Sequence, residues 1–211
     1  MTGIHGVYLI ADRSTAAWPD LEQAVRAALE AGVRWVQHRD KDGDDARRRE
    51  EATALLSLCQ ESGAHLIIND DIALAEAVEA DGVHLGADDP DIGATRSALG
   101  PEAVIGVSCY NRLERALAAE RAGADYAAFG SVYPSPTKPE APRAPLDLIR
   151  TAARRLTIPV VAIGGIPPAN AGPVALAGAD SVAVISGILA AEEPGTAAHR
   201  LGNLFRVDTA N

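Results

Sequence analysis

Short apolar runs alternate with longer amphipathic stretches along nearly the whole chain. The apolar runs fall at 7–11, 35–37, 66–68, 82–85, 104–107, 126–129, 160–163 and 181–185. Each is too short for a helix and apolar on both faces, as a parallel strand covered by helices must be. Between them the apolar residues take helical spacing. Pro19-Asp20 opens the first such stretch, Leu21, Val25, Ala28 and Leu29 share a face, and Gly32 ends it. Further helices are predicted over 44–61, 72–78, 92–99, 112–122, 146–156, 170–177 and 195–205. Eight strand–helix pairs with no segment left over predict an α/β fold, a single-domain (β/α)8 TIM barrel, ahead of an open doubly wound sheet. The domain is expected over 1–207, with 208–211 a short C-terminal tail. A weak internal echo agrees: Ala31-Gly32-Val33, Ala80-Asp81-Gly82, Ala122-Gly123-Ala124-Asp125 and Ala177-Gly178-Ala179-Asp180 each lead into an even-numbered strand.

Barrels of this kind build their sites at the C-terminal ends of the strands. The second strand delivers Gln37, Arg39 and Lys41 there, the third Asn69 and Asp70, the fourth Asp88 and Asp89, the fifth Ser108. The sixth delivers Gly130 and the run Ser135-Pro136-Thr137-Lys138, the seventh Gly164-Gly165, the eighth Ser186-Gly187. Carboxylates converging from neighbouring strands repel one another unless a cation sits between them. Oxygen-only ligands suit magnesium, especially beside a substrate phosphate. Gly164-Gly165 alone is explained by a tight turn. Paired with Ser186-Gly187, it predicts phosphate-binding loops after strands seven and eight, where backbone N–H groups face the ligand. Arg39, Lys41 and Lys138 each read singly as solvated charges; facing two acids at one mouth, they describe a pyrophosphate–magnesium site. The stretch 133–145 holds five prolines, which exclude a helix, and reads as a lid carrying Ser135, Thr137 and Lys138.

Composition narrows the partners. The chain has 211 residues and a net charge of −10, which argues against general binding to nucleic acid or anionic membrane. Small phosphorylated molecules are the expected partners, and a homo-oligomer is compatible. No apolar run approaches a membrane span or a leader peptide. Cys59 and Cys109 form no CxxC pair, so a reducing cytoplasm is expected. Cys109 follows Ser108 but has no evident histidine partner and reads as an inert thiol. His38 and His65 lie on strands, and His84 is placed to line the barrel interior. No HxH or HExxH supports zinc, and no GxGxxG supports a dinucleotide cofactor.

Several pieces together resemble the thiamine phosphate synthase family. They are Tyr8-Leu9-Ile10-Ala11-Asp12, Gln37-His38-Arg39-Asp40-Lys41, Ile67-Ile68-Asn69-Asp70, Gly82-Val83-His84-Leu85-Gly86 with Asp88-Asp89, Gly106-Val107-Ser108, Thr137-Lys138, Ile163-Gly164-Gly165-Ile166 and Val184-Ile185-Ser186. The resemblance covers nearly the whole chain. It implies an enzyme that couples 4-amino-2-methyl-5-hydroxymethylpyrimidine diphosphate to a thiazole phosphate, releasing pyrophosphate. Carried over, it implies Mg2+ held by Asp70 and Asp89. Gln37, Arg39, Lys41, Asn69, Ser108 and Lys138 would bind the pyrimidine diphosphate, with Lys41, Ser108 and Lys138 catalytic. Ser135, Thr137, Gly165, Ile185 and Ser186 would bind the thiazole phosphate. The chain departs from the family pattern at Ala87, where Gln is common, at Tyr110, where His is frequent, and at Ser135, where Thr is usual.

Two other readings compete. A related thiazole tautomerase shares the barrel and phosphate site, but its activity is associated with the histidine replaced here by Tyr110. A non-catalytic barrel that senses a phosphorylated metabolite would not need the metal carboxylates.

Overall fold

The computed structural model describes residues 3–86, 91–134 and 140–205. Eight parallel strands, β1 (Gly6–Asp12), β2 (Trp35–Arg39), β3 (His65–Asn69), β4 (Gly82–Leu85), β5 (Val104–Tyr110), β6 (Tyr126–Gly130), β7 (Val160–Ile163) and β8 (Ser181–Val184), close into a barrel in chain order. β8 returns to β1, with Gly6 opposite Ser181 and Leu9 opposite Val184. Around the barrel lie α1 (Trp18–Glu30), α2 (Asp45–Glu61), α3 (Ile72–Val78), α4 (Ile92–Leu99), α5 (Leu113–Arg121), α6 (Leu146–Arg155), α7 (Gly172–Leu176), α8 (Ser186–Leu189) and α9 (Pro194–Asn203). Three helices start on an aspartate side chain that accepts a backbone N–H: Asp44 from Arg47, Asp71 from Leu74 and Asp91 from Ala94.

The predicted (β/α)8 barrel is the observed one, with two local differences. β5 runs on to Tyr110, because its backbone keeps pairing with β6 after the apolar pattern stops at Ser108. α8 was not predicted; four residues are too few to show a helical period, and it forms by burying Ile188. The 208–211 tail lies outside the described residues.

Apolar packing divides into two bodies, as barrel closure requires. One fills the space between sheet and helices and includes Leu9, Val36, Leu55, Leu66, Ile105, Phe129 and Ile149. The other fills the barrel interior and is built from Tyr8, Trp35, Ile67, Val104, Tyr126 and Val161. Inward positions mix small with large. A side chain at Gly106 would overlap the Tyr126 ring, and one at Gly82 would strike the Val104 backbone. Gly106 thus makes room for Tyr126, and Gly82 lets β4 lie close against β5.

The repeated Ala-Gly-Ala-Asp pattern has a structural meaning. Asp81, Asp125 and Asp180 stand just before β4, β6 and β8. Each uses Oδ2 to accept the N–H of a residue on the preceding strand: Leu66, Ile105 and Val160, all at 2.8 Å. Each also donates its own N–H to a carbonyl on that strand. Three carboxylates thus clamp successive strand pairs at the end of the barrel opposite the strand C-termini. Asp180→Ala should lower the free energy of unfolding by about 1–2 kcal/mol, the worth of one satisfied hydrogen bond plus an orphaned N–H. Urea denaturation measures it, and an unchanged midpoint would refute the clamp.

Candidate active site

The alternation of side chains along β2 turns Trp35 and Gln37 inward and His38 out toward α2. Arg39 ends the strand beside Asp12, its register partner on β1. Asp12 is buried, and its carboxylate is ion-paired to the Arg39 guanidinium. The other carboxylate oxygen accepts the N–H and hydroxyl of Ser14. Asp12 therefore fixes the guanidinium at the mouth. Lys41 reaches Asp70 at 3.6 Å, but Lys41 is exposed and Asp70 only half-buried, so the pair orients more than it stabilises.

Asp70 holds a left-handed backbone, φ 64°, at the end of β3, and accepts the Asn69 amide at 2.6 Å. Asparagine and aspartate are among the few residues that tolerate this region. The next acid, Asp71, caps α3 and pairs with Arg48 at 3.2 Å, so it is spent on structure. On β5, Ser108 sits 2.9 Å from His84 Nε2. Tyr110 follows at φ 53° after a register shift. Arg115 braces these strand ends by donating to the carbonyls of Ser108 and Gly86, and its guanidinium lies over the Tyr110 ring.

Across the mouth the rim is made of backbone. Gly164 and Gly165 have φ 102° and 63°; added side chains would strike Ser131 and the Pro134 carbonyl. The turn and the close approach account for the glycines by themselves. The chain after β6 continues alongside β7, with Val132 N–H on Ile163 and Tyr133 N–H on Gly164. Asn170 donates to the Gly165 carbonyl and accepts the Tyr133 hydroxyl through its own carbonyl. Gly187 packs against the Ile166 carbonyl, joining the β8 end to the same rim.

These two sides enclose a cavity of about 990 Å³ at the C-terminal mouth. Gln37, Arg39, Asn69, Ser108, Gly165, Ile185 and Ser186, named from the sequence, all line it. Lys41 and Asp70 stand beside it, paired with each other. Asp89, Ser135, Thr137 and Lys138 lie outside the described residues, as do Asp88 and Ala87. So does the middle of the expected lid, although Tyr133, Pro134, Glu140 and Pro142 reach the cavity. Sequence reading missed Tyr8 and Asn170, and left His84 without a partner. A tyrosine on an apolar strand looks like core, and its hydroxyl contacts become visible only when the strands are assembled. Cys109 is buried, and burial pushes its thiol up to about 12, which makes it a poor nucleophile.

Behind Gln37 and Arg39, on the α2 side of β2, lies a buried pair. His38 Nε2 and Glu51 Oε2 are 3.6 Å apart, too far for a hydrogen bond, and neither atom has another partner. Arg13 donates to the other Glu51 oxygen at 3.0 Å. Burial still raises the Glu51 carboxyl above its usual range, outweighing Arg13. Burial lowers His38 to about 4, against the pull of Asp40.

A closed parallel barrel with a large cavity over the strand C-termini is the architecture of a (β/α)8 enzyme. The sequence pattern of the thiamine monophosphate synthase family matches residues 7–188. The chain is 50% identical over 204 residues to the thiamine-phosphate synthase of Thioalkalivibrio sulfidiphilus, covering 97% of each chain. It is 53% identical over 196 residues to that of Halorhodospira halophila, covering 93% of this chain and 92% of the other. The solved thiamine phosphate pyrophosphorylase from Pyrococcus furiosus superposes with a TM-score of 0.86 at 37% identity, covering 94% of both chains. The chain belongs to the thiamine monophosphate synthase family.

A histidine whose folded pKa is depressed takes up its proton only on unfolding between about pH 6.5 and 4, so acid in that window favours the unfolded chain. Glu51, raised, works in the opposite sense, gaining stability as pH falls through its folded value. His38→Gln should therefore flatten the loss of stability from pH 6.5 to 4, read by urea denaturation across that range. A steeper loss in the variant would show that His38 is not the group responsible.

Proposed function

We propose that the protein joins hydroxymethylpyrimidine diphosphate to a thiazole phosphate, forming thiamine phosphate and releasing pyrophosphate. The observation that carries this reading is the two-sided cavity. Side chains of β2 to β5 furnish one wall, with Gln37, Arg39, Asn69 and Ser108; glycine-rich backbone after β7 and β8 furnishes the other. One cavity thus has room and chemistry for two different ligands. Its near full-length likeness to relatives named thiamine-phosphate synthase supports the same assignment.

On the first wall, the Arg39 guanidinium, held by Asp12, is aimed at diphosphate oxygens, with Lys41 adding charge at the rim. Gln37, Asn69 and Ser108 bind the rest of the pyrimidine diphosphate. On the second wall, Gly165, Ile185 and Ser186 take the thiazole phosphate. Ser135, Thr137 and Lys138 join these sets by their motif, with Lys41, Ser108 and Lys138 nearest the chemistry. The bond between methylene carbon and diphosphate oxygen breaks, and the oxygen keeps the electron pair. The electron-rich aminopyrimidine spreads the charge left on carbon, and the thiazole nitrogen supplies the pair for the new bond. The enzyme's part is to hold the two reactants in line and to stabilise the leaving group. A protein nucleophile is not needed, in keeping with the buried Cys109.

Asp70 fits a magnesium ion: it is a hard oxygen donor at the C-terminal end of β3, beside the Lys41 ammonium. Asp70 and, by its motif, Asp89 would hold the metal. Magnesium there would neutralise charge gathering on the departing pyrophosphate. The expected setting is a reducing cytoplasm, where buried Cys59 and Cys109 stay thiols. Among the described residues no helix is long and apolar enough to cross a membrane.

Pyrophosphate release should require both substrates together and magnesium. Release from the pyrimidine diphosphate alone at the same rate would overturn the coupling reaction. Arg39→Ala should raise KM for the pyrimidine diphosphate roughly 10- to 100-fold, the worth of a charge-assisted contact, and leave KM for the thiazole phosphate near its original value. Equal effects on both constants would remove Arg39 from the diphosphate wall.

A further inference from the structure

Five side chains from five strands form an unbroken hydrogen-bonded row across the floor of the cavity. Gln37 Nε2 donates to the Tyr8 hydroxyl at 2.7 Å, and the Tyr8 and Tyr126 hydroxyls are 2.9 Å apart. Tyr126 Oη lies 3.0 Å from His84 Nδ1, and His84 Nε2 lies 2.9 Å from Ser108 Oγ. Four of the five line the cavity; Tyr126 does not, and is fully buried. Its ring meets Tyr8 edge-on, stacks on His84, and occupies space left by Gly106.

With His84 neutral, the row has one hydrogen per link. If Gln37 donates into it, Tyr8 donates to Tyr126, Tyr126 to His84 Nδ1, and His84 Nε2–H to Ser108. With Gln37 donating, any other order leaves a buried hydroxyl hydrogen without an acceptor or sets two hydrogens face to face. Ser108 then keeps its own hydrogen to offer into the cavity. Turning the Gln37 amide over would invert every link, so the two ends always present opposite polarity. An aminopyrimidine edge carries a donor amino group beside an acceptor ring nitrogen, and opposite polarity at Gln37 and Ser108 complements it.

We propose that Tyr126 is a positioning residue that sets the tautomer of His84 and, through it, makes Ser108 a hydrogen-bond donor to the pyrimidine substrate. This deepens the proposed function and rests on its placement of the pyrimidine between Gln37 and Ser108.

The test uses the intact protein labelled with 15N histidine, with His84 assigned by the His84→Asn variant. In the unsubstituted protein, His84 should show a protonated Nε2 and a bare Nδ1. Tyr126→Phe keeps the ring and removes the link, so His84 should become a mixture of tautomers. Turnover should fall roughly tenfold, about one ordinary hydrogen bond, with KM for the thiazole phosphate unchanged. Ser108→Ala should cost less in the Tyr126→Phe background than alone. A protonated Nδ1 in the unsubstituted protein, or a tautomer unmoved by Tyr126→Phe, would overturn the proposal. If the tautomer shifts but Ser108→Ala leaves turnover intact, the placement of substrate at Ser108 fails and the control of His84 by Tyr126 stands.

Discussion

Closure of the sheet on itself, through the parallel ladder from Gly6–Ser181 to Leu9–Val184, is the constraint on which the other features depend. Once β8 pairs with β1, all eight strands run the same way round one axis and their C-terminal ends share one rim. Residues far apart in the chain become neighbours there without any long loop. Asp12 and Arg39, or Asn69 and His84, meet because the register sets them opposite each other. The clamps at Asp81, Asp125 and Asp180 act at the other end, away from the chemistry.

Closure also creates an interior that must be filled. Here it is filled by rings whose polar tips point at one another, so that the floor of the cavity is a hydrogen-bonded layer over an apolar plug. The hydroxyls are buried, and burial raises both Tyr8 and Tyr126 well above the ordinary tyrosine range, so they stay neutral donors and acceptors. Neutral tyrosines of this kind order hydrogens without placing a phenolate charge under the cavity.

Among the described residues, the charges Arg39 and Lys41 at the mouth are paired, with Asp12 and Asp70. An acidic chain that binds phosphates gains little from its overall field, which repels them. It must therefore attract them locally. Buried Asp12 holds Arg39 in place while its own charge is already met by Ser14 and the guanidinium.

Periodicity and punctuation in the chain were enough to determine eight βα units, because parallel strands buried on both faces read as short apolar runs between helices; the count of eight favoured closure over an open sheet, and the β8–β1 ladder decided it. The same pattern placed Gln37, Arg39, Asn69, Ser108, Gly165, Ile185 and Ser186 at one rim, since strand ends are legible wherever an apolar run meets polar residues. Motif likeness added the chemistry of the ligands. Only the tertiary structure decided which of several similar residues are spent on helix caps and ion pairs. Asp71 caps a helix while Asp70 beside it pairs with Lys41, and nothing local to that pair of aspartates distinguishes them. The floor from Gln37 to Ser108 was equally hidden, because its links join residues as far apart as Tyr8 and Tyr126. A hydrogen bond across the barrel depends on register and shear, which arise from the assembled sheet and leave no period in the chain.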